Sequence, residues 1–250
     1  MQFNFTHNDK TYSYNSTVFF DLSTPIRNGE ENVNAYFLNP PKFEPFRAGG
    51  FVGSVALGGA CNCEDIYFNA HGNGTHTECV GHISKETYTI NQCLNQYMSV
   101  ARLITVQPER LDSGDSIIPA SVLDGVDLSE SESIIIRSVP NGSDKLLKKY
   151  SGTNPTYLDA SLTRRLANSG IKHLIIDLPS VDREEDGGKL LAHHAFWQYP
   201  ENPRINATIT ELAYVPNDVL DGLYLLNLQI AAFESDASPS KPIIYPLTTA

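Results

Sequence analysis

Asp159-Ala-Ser-Leu-Thr-Arg-Arg-Leu-Ala-Asn-Ser-Gly170 and, directly after it, Lys172-His-Leu-Ile-Ile-Asp-Leu178 decide the fold class. The first stretch opens on an acidic N-cap and stops at a glycine, which predicts a helix. The second is largely apolar and centred on Leu174, Ile175 and Ile176, the pattern of a buried strand. A helix running straight into a buried strand points to an α/β or mixed α+β sheet protein.

Working outward, Ser133 to Ser138 and Val100 to Gln107 read as further strands. Ile205 to Val215 and Leu220 to Phe233 read as strands or a strand pair, and Gly188 to Trp197 as a helix. A short helix is expected from Thr89 to Gln96. Near the N-terminus, Gln2–Thr6 and Thr11–Tyr14 flank an Asn8-Asp9-Lys10 turn and predict a hairpin. Residues 26–50 are rich in Asn, Pro and Gly and predict a long loop, of the length that is often functional. Strands are expected at 51–60 and 64–70, on either side of Gly58-Gly59. Pro and Gly are spread along the chain with no linker, so 1–250 is expected to be a single domain.

Composition removes several function classes. Eighteen basic residues against twenty-nine acidic ones give a net charge of −11, which disfavours nucleic acid and anionic lipid as partners. No apolar run reaches the roughly 18 residues of a bilayer span, so no membrane span is expected. The first residues carry neither a basic nor a long apolar segment, so no secretory signal is expected, and a cytoplasmic protein is. The four cysteines, at 61, 63, 79 and 93, form no Cys-x-x-Cys pair and are expected as reduced thiols. The glycines match no phosphate loop, and there is no Gly-x-Ser-x-Gly elbow.

Chemistry concentrates in His71-Gly-Asn-Gly-Thr-His-Thr-Glu-Cys-Val-Gly-His82, which holds three of the seven histidines. If residues 76–78 are extended, His76 and Glu78 project to the same face, as alternate residues of a strand do. An imidazole and a carboxylate on one face, with a second imidazole nearby, make a partial metal site. A Gly-rich turn with solvated histidines would carry the same letters.

Two further clusters bear on this. Along Ile205–Val215 one alternating face carries Ile205, Ala207, Ile209, Glu211, Ala213 and Val215, with Glu211 its only ionisable group. A buried carboxylate without a partner costs several kcal/mol, so Glu211 needs a cation, an arginine or buried water, unless the strand flips and exposes it. In Leu190-Leu-Ala-His-His-Ala-Phe-Trp197, adjacent helical residues point about 100° apart, so only one of His193 and His194 can face a given site. The run Asp182-Arg-Glu-Glu-Asp186 reads as a solvated loop.

Thr75-His-Thr-Glu-Cys-Val-Gly-His82 resembles the His-x-Gly-Thr-His-x-Asp-x-Pro-x-His signature of the cyclase family of metal-dependent hydrolases, which includes bacterial kynurenine formamidases and isatin hydrolases. Asp21-Leu-Ser-Thr-Pro25 is similar to the family's N-terminal element, and Pro179-Ser-Val-Asp182 to its Pro-Ser-Val-Asp turn. Ala192-His193 followed by Glu211-Leu212 is similar to its second His…Glu pair. The chain departs from the pattern in four places. His71 precedes His76 by one residue more than the signature has, Glu78 replaces Asp, Val80 replaces Pro, and extra residues surround Tyr199-Pro-Glu-Asn-Pro203. The substrate-contacting aromatic of the formamidases has no clear match in the 26–50 loop.

The resemblance implies a swivelling β/β/α domain with a central mixed sheet. It implies His71, His76, Glu78, His193 and Glu211 as metal ligands, and His82 as the proton donor and acceptor. It implies a divalent cation, Zn²⁺ before Mn²⁺, one or two per chain, since nitrogen and carboxylate ligands suit both. The expected reaction is hydrolysis of the carbon–nitrogen bond of an amide, a formamide such as N-formylkynurenine, or a lactam. The expected partners are a small-molecule substrate and a second copy of the chain in a homodimer. The alternative is a non-catalytic metal or small-molecule binding protein on the same scaffold.

Overall fold

The computed structural model describes residues 1–249. The strands used below are β1 (Gln2–His7), β2 (Lys10–Asn15), β3 (Phe20–Asp21), β4 (His76–Glu78), β5 (Met98–Val106), β6 (Ser133–Ser138), β7 (His173–Ile176), β8 (Thr208–Glu211), β9 (Gly222–Ile230) and β10 (Ala237–Pro246). The helices are α1 (Ala70–Asn73), α2 (Ile90–Cys93), α3 (Ala160–Asn168) and α4 (Leu191–Trp197).

The stretch that decides the fold behaves as expected. Asp159 Oδ1 accepts the Ser161 N–H at 2.7 Å and caps α3, which ends before Gly170 at φ +81°. The chain then enters β7, whose four residues are all buried. β7 lies parallel to β6 in the register Ile134↔Leu174, Ile135↔Ile175, Ile136↔Ile176. Alternation divides these residues between two cores. Ile134, Ile136, Leu174 and Ile176 pack with Leu162 and Leu166 of α3 and Phe196 and Trp197 of α4. Ile135 and Ile175 face the other way, towards Leu103, Leu226, Leu228 and Ile244. Each fully buried Ile or Leu contributes about 1.5–3 kcal/mol. A strand apolar on both faces has a place only between two such layers.

The main sheet runs β9-β5-β6-β7-β8-β4-β10-β3. β5, β6, β7 and β8 are parallel, whereas β4, β9 and β10 run antiparallel to their neighbours. β9 and β10 also pair directly, so the sheet closes on itself like a barrel. The mixed α+β architecture expected from the helix–strand unit is the one observed. The N-terminal hairpin forms as expected, with β1 against β2.

Several elements are shorter than their sequence patterns imply. Residues 51–60 contain only the strand Phe51–Val52 and a 3₁₀ turn at Val55–Leu57. The 26–50 segment is not all loop, because Lys42–Pro45 pairs with Glu64–Tyr67 in a separate ribbon. The helix expected over Thr89–Gln96 is one turn, and the one expected from Gly188 starts at Leu191, because Gly187 and Gly188 take positive φ. Within 205–215 only Thr208–Glu211 is strand, and all four of its residues are buried. It stops because Leu212 takes φ +54°.

Candidate metal centre

Strand register builds the site. In β4, His76 and Glu78 lie on one face, as their alternation implies, and Glu211 sits directly opposite His76 across the β8–β4 pair. On the other side of β4, Ala237 of β10 pairs with Glu78. Imidazole and two carboxylates are thereby set into the sheet by backbone pairing rather than by flexible loops.

Loops around β4 are locked to it. Thr75 Oγ1 donates to Leu212 O at 2.6 Å and accepts the Thr24 N–H at 2.7 Å, and Thr24 Oγ1 donates to the same carbonyl at 2.9 Å. Thr24 belongs to the Asp21–Pro25 element, so that element ties the signature to the residue after Glu211. His71 stands on α1, where Asn69 Oδ1 accepts its N–H at 2.9 Å. The next residue must be glycine, since a Cβ at Gly72 would meet Leu38 Cδ1 at 2.5 Å and Ala35 O at 2.9 Å.

All six residues singled out in the sequence meet. His71 Nδ1 lies 3.2 Å from Glu78 Oε2, so the additional residue before His76 does not remove His71 from the cluster. His193 Nε2 donates to Glu78 Oε1 at 3.0 Å and lies 3.8 Å from Glu211 Oε1. His76 Nε2 is 3.4 Å from Glu211 Oε2. His82 Nδ1 is 3.8 Å from Glu78 Oε2, with a side chain 28% exposed, whereas Glu78 is fully buried. His194 turns away from the cluster, its Nδ1 meeting Tyr199 O at 2.9 Å. Glu211 is buried facing His76 and His193, and its Oε1 accepts the Val181 N–H at 2.9 Å, so neither an exposed position nor an arginine partner describes it.

Two residues enter that the sequence did not single out as site residues. Asp182 is not a solvated charge. It is buried, its Oδ2 accepts from His193 Nδ1 at 2.6 Å, and its two oxygens accept the N–H groups of Ala192 and His193 at the start of α4. The second is Asp236, whose Oδ2 lies 2.9 Å from His71 Nε2 and 3.1 Å from His82 Nδ1.

Charge in the cluster is balanced by protons. Burial works against charging His193, yet Asp182 and Glu78 outweigh it and hold its pKa up at about 10. His71 is held at about 10 in the same way, with burial opposed by Asp236 and Glu78. Burial would raise Glu78, but His82, His193 and His71 bring it well below the usual carboxylate range.

Even so, two buried ligand-type atoms, His76 Nε2 and Glu78 Oε2, have no hydrogen-bond partner. His76 donates its other ring nitrogen to Gly74 O at 3.1 Å, which leaves Nε2 with a bare lone pair. A divalent cation fits this donor set. Donor atoms of His71, His76 and Glu78 lie within 4.8 Å of one another, as do those of Glu78, His82 and His193.

Beside the cluster opens a cavity of about 470 Å³, lined by Tyr67, Phe68, His71, Phe233 and Asp236 among others. Phe68 and Phe233 stack with centroids 6.4 Å apart. These aromatic walls come from the 64–70 segment and from the turn before β10, not from 26–50. The 26–50 loop instead reaches the Pro179–Asp182 turn, where the Tyr36 hydroxyl donates to Pro179 O at 2.8 Å.

The Cyclase family model matches residues 20–183, about two thirds of the chain and including His71, His76, Glu78 and His82. The chain belongs to the cyclase family. Its relatives include the kynurenine formamidase of Bacillus cytotoxicus, 29% identical over 191 residues, which are 76% of this chain and 82% of that one. A Bacillus cereus kynurenine formamidase is 26% identical over 239 residues, 93% of this chain and 99% of its own length. Among solved structures, isatin hydrolase A from Labrenzia aggregata superposes with a TM-score of 0.64 at 13% identity, covering 91% of this chain and 93% of that one. Isatin hydrolase A from Ralstonia solanacearum gives 0.65 at 10%, covering 92% of each. At these identities the structural likeness speaks for the fold, and the expected swivelling β/β/α domain with a central mixed sheet is borne out as a cyclase-family fold. His193, Glu211 and Asp236 lie outside the matched span, so their place beside the signature comes from the sheet register described above.

Proposed function

We propose that this single-domain chain is a metal-dependent hydrolase that cleaves the carbon–nitrogen bond of a small amide, formamide or lactam. Membership of the cyclase family and kinship with kynurenine formamidases bear out the hydrolase class. The observation that carries the reading is the pair of orphaned buried atoms, His76 Nε2 and Glu78 Oε2, in the cluster whose His71 lines a cavity with aromatic walls.

His71, His76 and Glu78 would hold one cation, and Glu78, His193 and Glu211 a second, with Glu78 shared. When bound, a divalent cation polarises a carbonyl oxygen and acidifies water. The chain's own residues do the rest. Phe68 and Phe233 seat the apolar part of the substrate and exclude water from one side. His82, partly exposed beside the cluster, takes a proton from the attacking water as its oxygen bonds to the carbonyl carbon. It returns that proton to the nitrogen as the carbon–nitrogen bond breaks, leaving a carboxylic acid and an amine.

Zn²⁺ is the first candidate and Mn²⁺ the second, because imidazole and carboxylate accept both. Four free cysteines support a reducing, cytoplasmic setting. No helix among the described residues is long and apolar enough to cross a membrane. Exposed Phe3 and Phe19 near the N-terminal hairpin support a surface for a second copy in a homodimer. The alternative of a scaffold that binds without catalysis rests on the altered His71 spacing and on Glu78 in place of Asp; His71 nonetheless lies 3.2 Å from Glu78.

The test is metal content per chain on protein purified without added metal, followed by screening of aryl formamides and lactams. Bound metal together with turnover abolished by chelation supports the proposal. A chain that neither carries nor rebinds Zn²⁺ or Mn²⁺ overturns it.

A further inference from the structure

We infer that Asp236 is a positioning residue that orients two histidines at once, setting the tautomer of His82 and of His71. The inference rests on the hydrolase reading and adds a residue to it. Asp236 Oδ2 lies 2.9 Å from His71 Nε2 and 3.1 Å from His82 Nδ1. An ionised carboxylate only accepts hydrogen bonds, so both ring nitrogens facing it must carry hydrogen. His71 then carries a hydrogen at Nε2, and its Nδ1, 3.2 Å from Glu78 Oε2, is the nitrogen that would turn to a cation shared with Glu78. His82 is protonated at Nδ1, which leaves Nε2 as its basic atom. A general base needs this arrangement, with one nitrogen held by a third group and the other free towards the reacting atoms. The opposite tautomer of His82 would set a lone pair against the carboxylate.

Asp236 is itself fixed. Its carbonyl accepts the Cys79 N–H at 3.0 Å, which continues the pairing of Ala237 with Glu78 across β4 and β10. Its other oxygen, Oδ1, accepts from Ser235 Oγ at 3.1 Å. The rings of His71 and His82 lie with centroids 4.5 Å apart, close enough for one carboxylate to reach both. Asp236 also stands on the cavity wall. The metal ligand His71 and the proton carrier His82 therefore take their orientation from one oxygen atom. The competing role for the same atom is direct metal ligation, since His71, His82 and Asp236 also cluster within 4.8 Å. An oxygen already accepting from two ring N–H groups has little left for a cation.

The experiment compares zinc-loaded wild type with Asp236→Ala, Asp236→Asn and Asp236→Glu. It reads zinc per chain at saturating zinc, the histidine ring ¹⁵N–¹H spectrum, and kcat and KM on formanilide as the probe. The wild-type spectrum should show a protected His82 Nδ1–H that Asp236→Ala loses, with zinc per chain unchanged in all variants. On formanilide, kcat should fall about 10- to 100-fold in Asp236→Ala and Asp236→Asn, as for loss of a carboxylate that orients a histidine, while KM moves less than about threefold. Asp236→Glu should recover part of kcat. A His82 Nδ1–H that survives in Asp236→Ala, or a loss of one zinc per chain, overturns the inference. If wild type does not hydrolyse formanilide, the spectra and zinc counts still decide the role of Asp236, so a failed hydrolase reading and a failed positioning role give different results.

Discussion

Asp182 and His193 meet at 2.6 Å, Oδ2 to Nδ1, and the opposite nitrogen of the same ring reaches Glu78 at 3.0 Å. Asp182 thus fixes which nitrogen of His193 faces the cluster. It also holds the ring's position, because its two oxygens accept the first backbone N–H groups of α4. A carboxylate behind a ligating imidazole sets its tautomer and raises its basicity. Asp182→Asn keeps the shape and removes the charge. Its zinc affinity should be about 10- to 100-fold weaker than wild type, read by competition with a chromophoric chelator. Wild-type affinity in that variant would remove Asp182 from the site.

Glu78 is the residue on which the groupings converge. It contacts His71, His82 and His193, and no other carboxylate among the described residues touches all three. Glu78→Gln should therefore abolish zinc retention through gel filtration, and turnover with it. Keeping the wild-type zinc count in that variant would show that the cation is held elsewhere.

Gly81 has a steric rather than a chemical reason to be glycine. A Cβ there would lie 2.1 Å from Tyr88 O, a backbone atom that cannot swing aside. Gly81 sits in the 3₁₀ turn Val80–His82 that presents His82. Gly81→Ala should cost about 1–3 kcal/mol of stability, typical of overpacking, read by urea denaturation. It should also lower kcat more than zinc content, because the displaced residue is the proposed proton carrier and not a proposed ligand. A variant as stable as wild type would mean the turn relaxes freely.

What the sequence disclosed follows from how local each signal is. Leu174, Ile175 and Ile176 announced a buried strand because burial on both faces leaves no polar position to hide the pattern. His76 and Glu78 were legible because alternation is a property of three consecutive residues. Asp182 misled because it opens a run of charges, and its burial against α4 is tertiary. Asp236 gave no signal at all, lying 154 residues beyond His82. It arrives through the register of β10 on β4, which no window of sequence contains. The strand Lys42–Pro45 stayed hidden in the Pro- and Asn-rich 26–50 segment because its partner lies beyond residue 60.

His173 lies in β7, far in role from the candidate centre, and makes the fold sensitive to acid. Its Nδ1 meets Thr208 Oγ1 at 2.9 Å, and its Nε2 is buried with no partner. Burial, reinforced by the nearby charge of Lys172, pushes its pKa down from 6.5 to about 4. The unfolded chain takes up a proton at this residue as pH falls through 6.5, while the folded chain resists until about 4. Protons then favour the unfolded state, so stability from this group is complete above 6.5 and is lost progressively between 6.5 and about 4. The loss between neutral pH and pH 5 should be about 2 kcal/mol, measured as the fall in unfolding free energy from urea titrations of the metal-free chain. His173→Asn retains a polar partner for Thr208 but does not titrate. It should be less stable than wild type at neutral pH, with a flatter dependence between pH 7 and pH 5. An equal slope in both proteins would place the acid sensitivity in other groups.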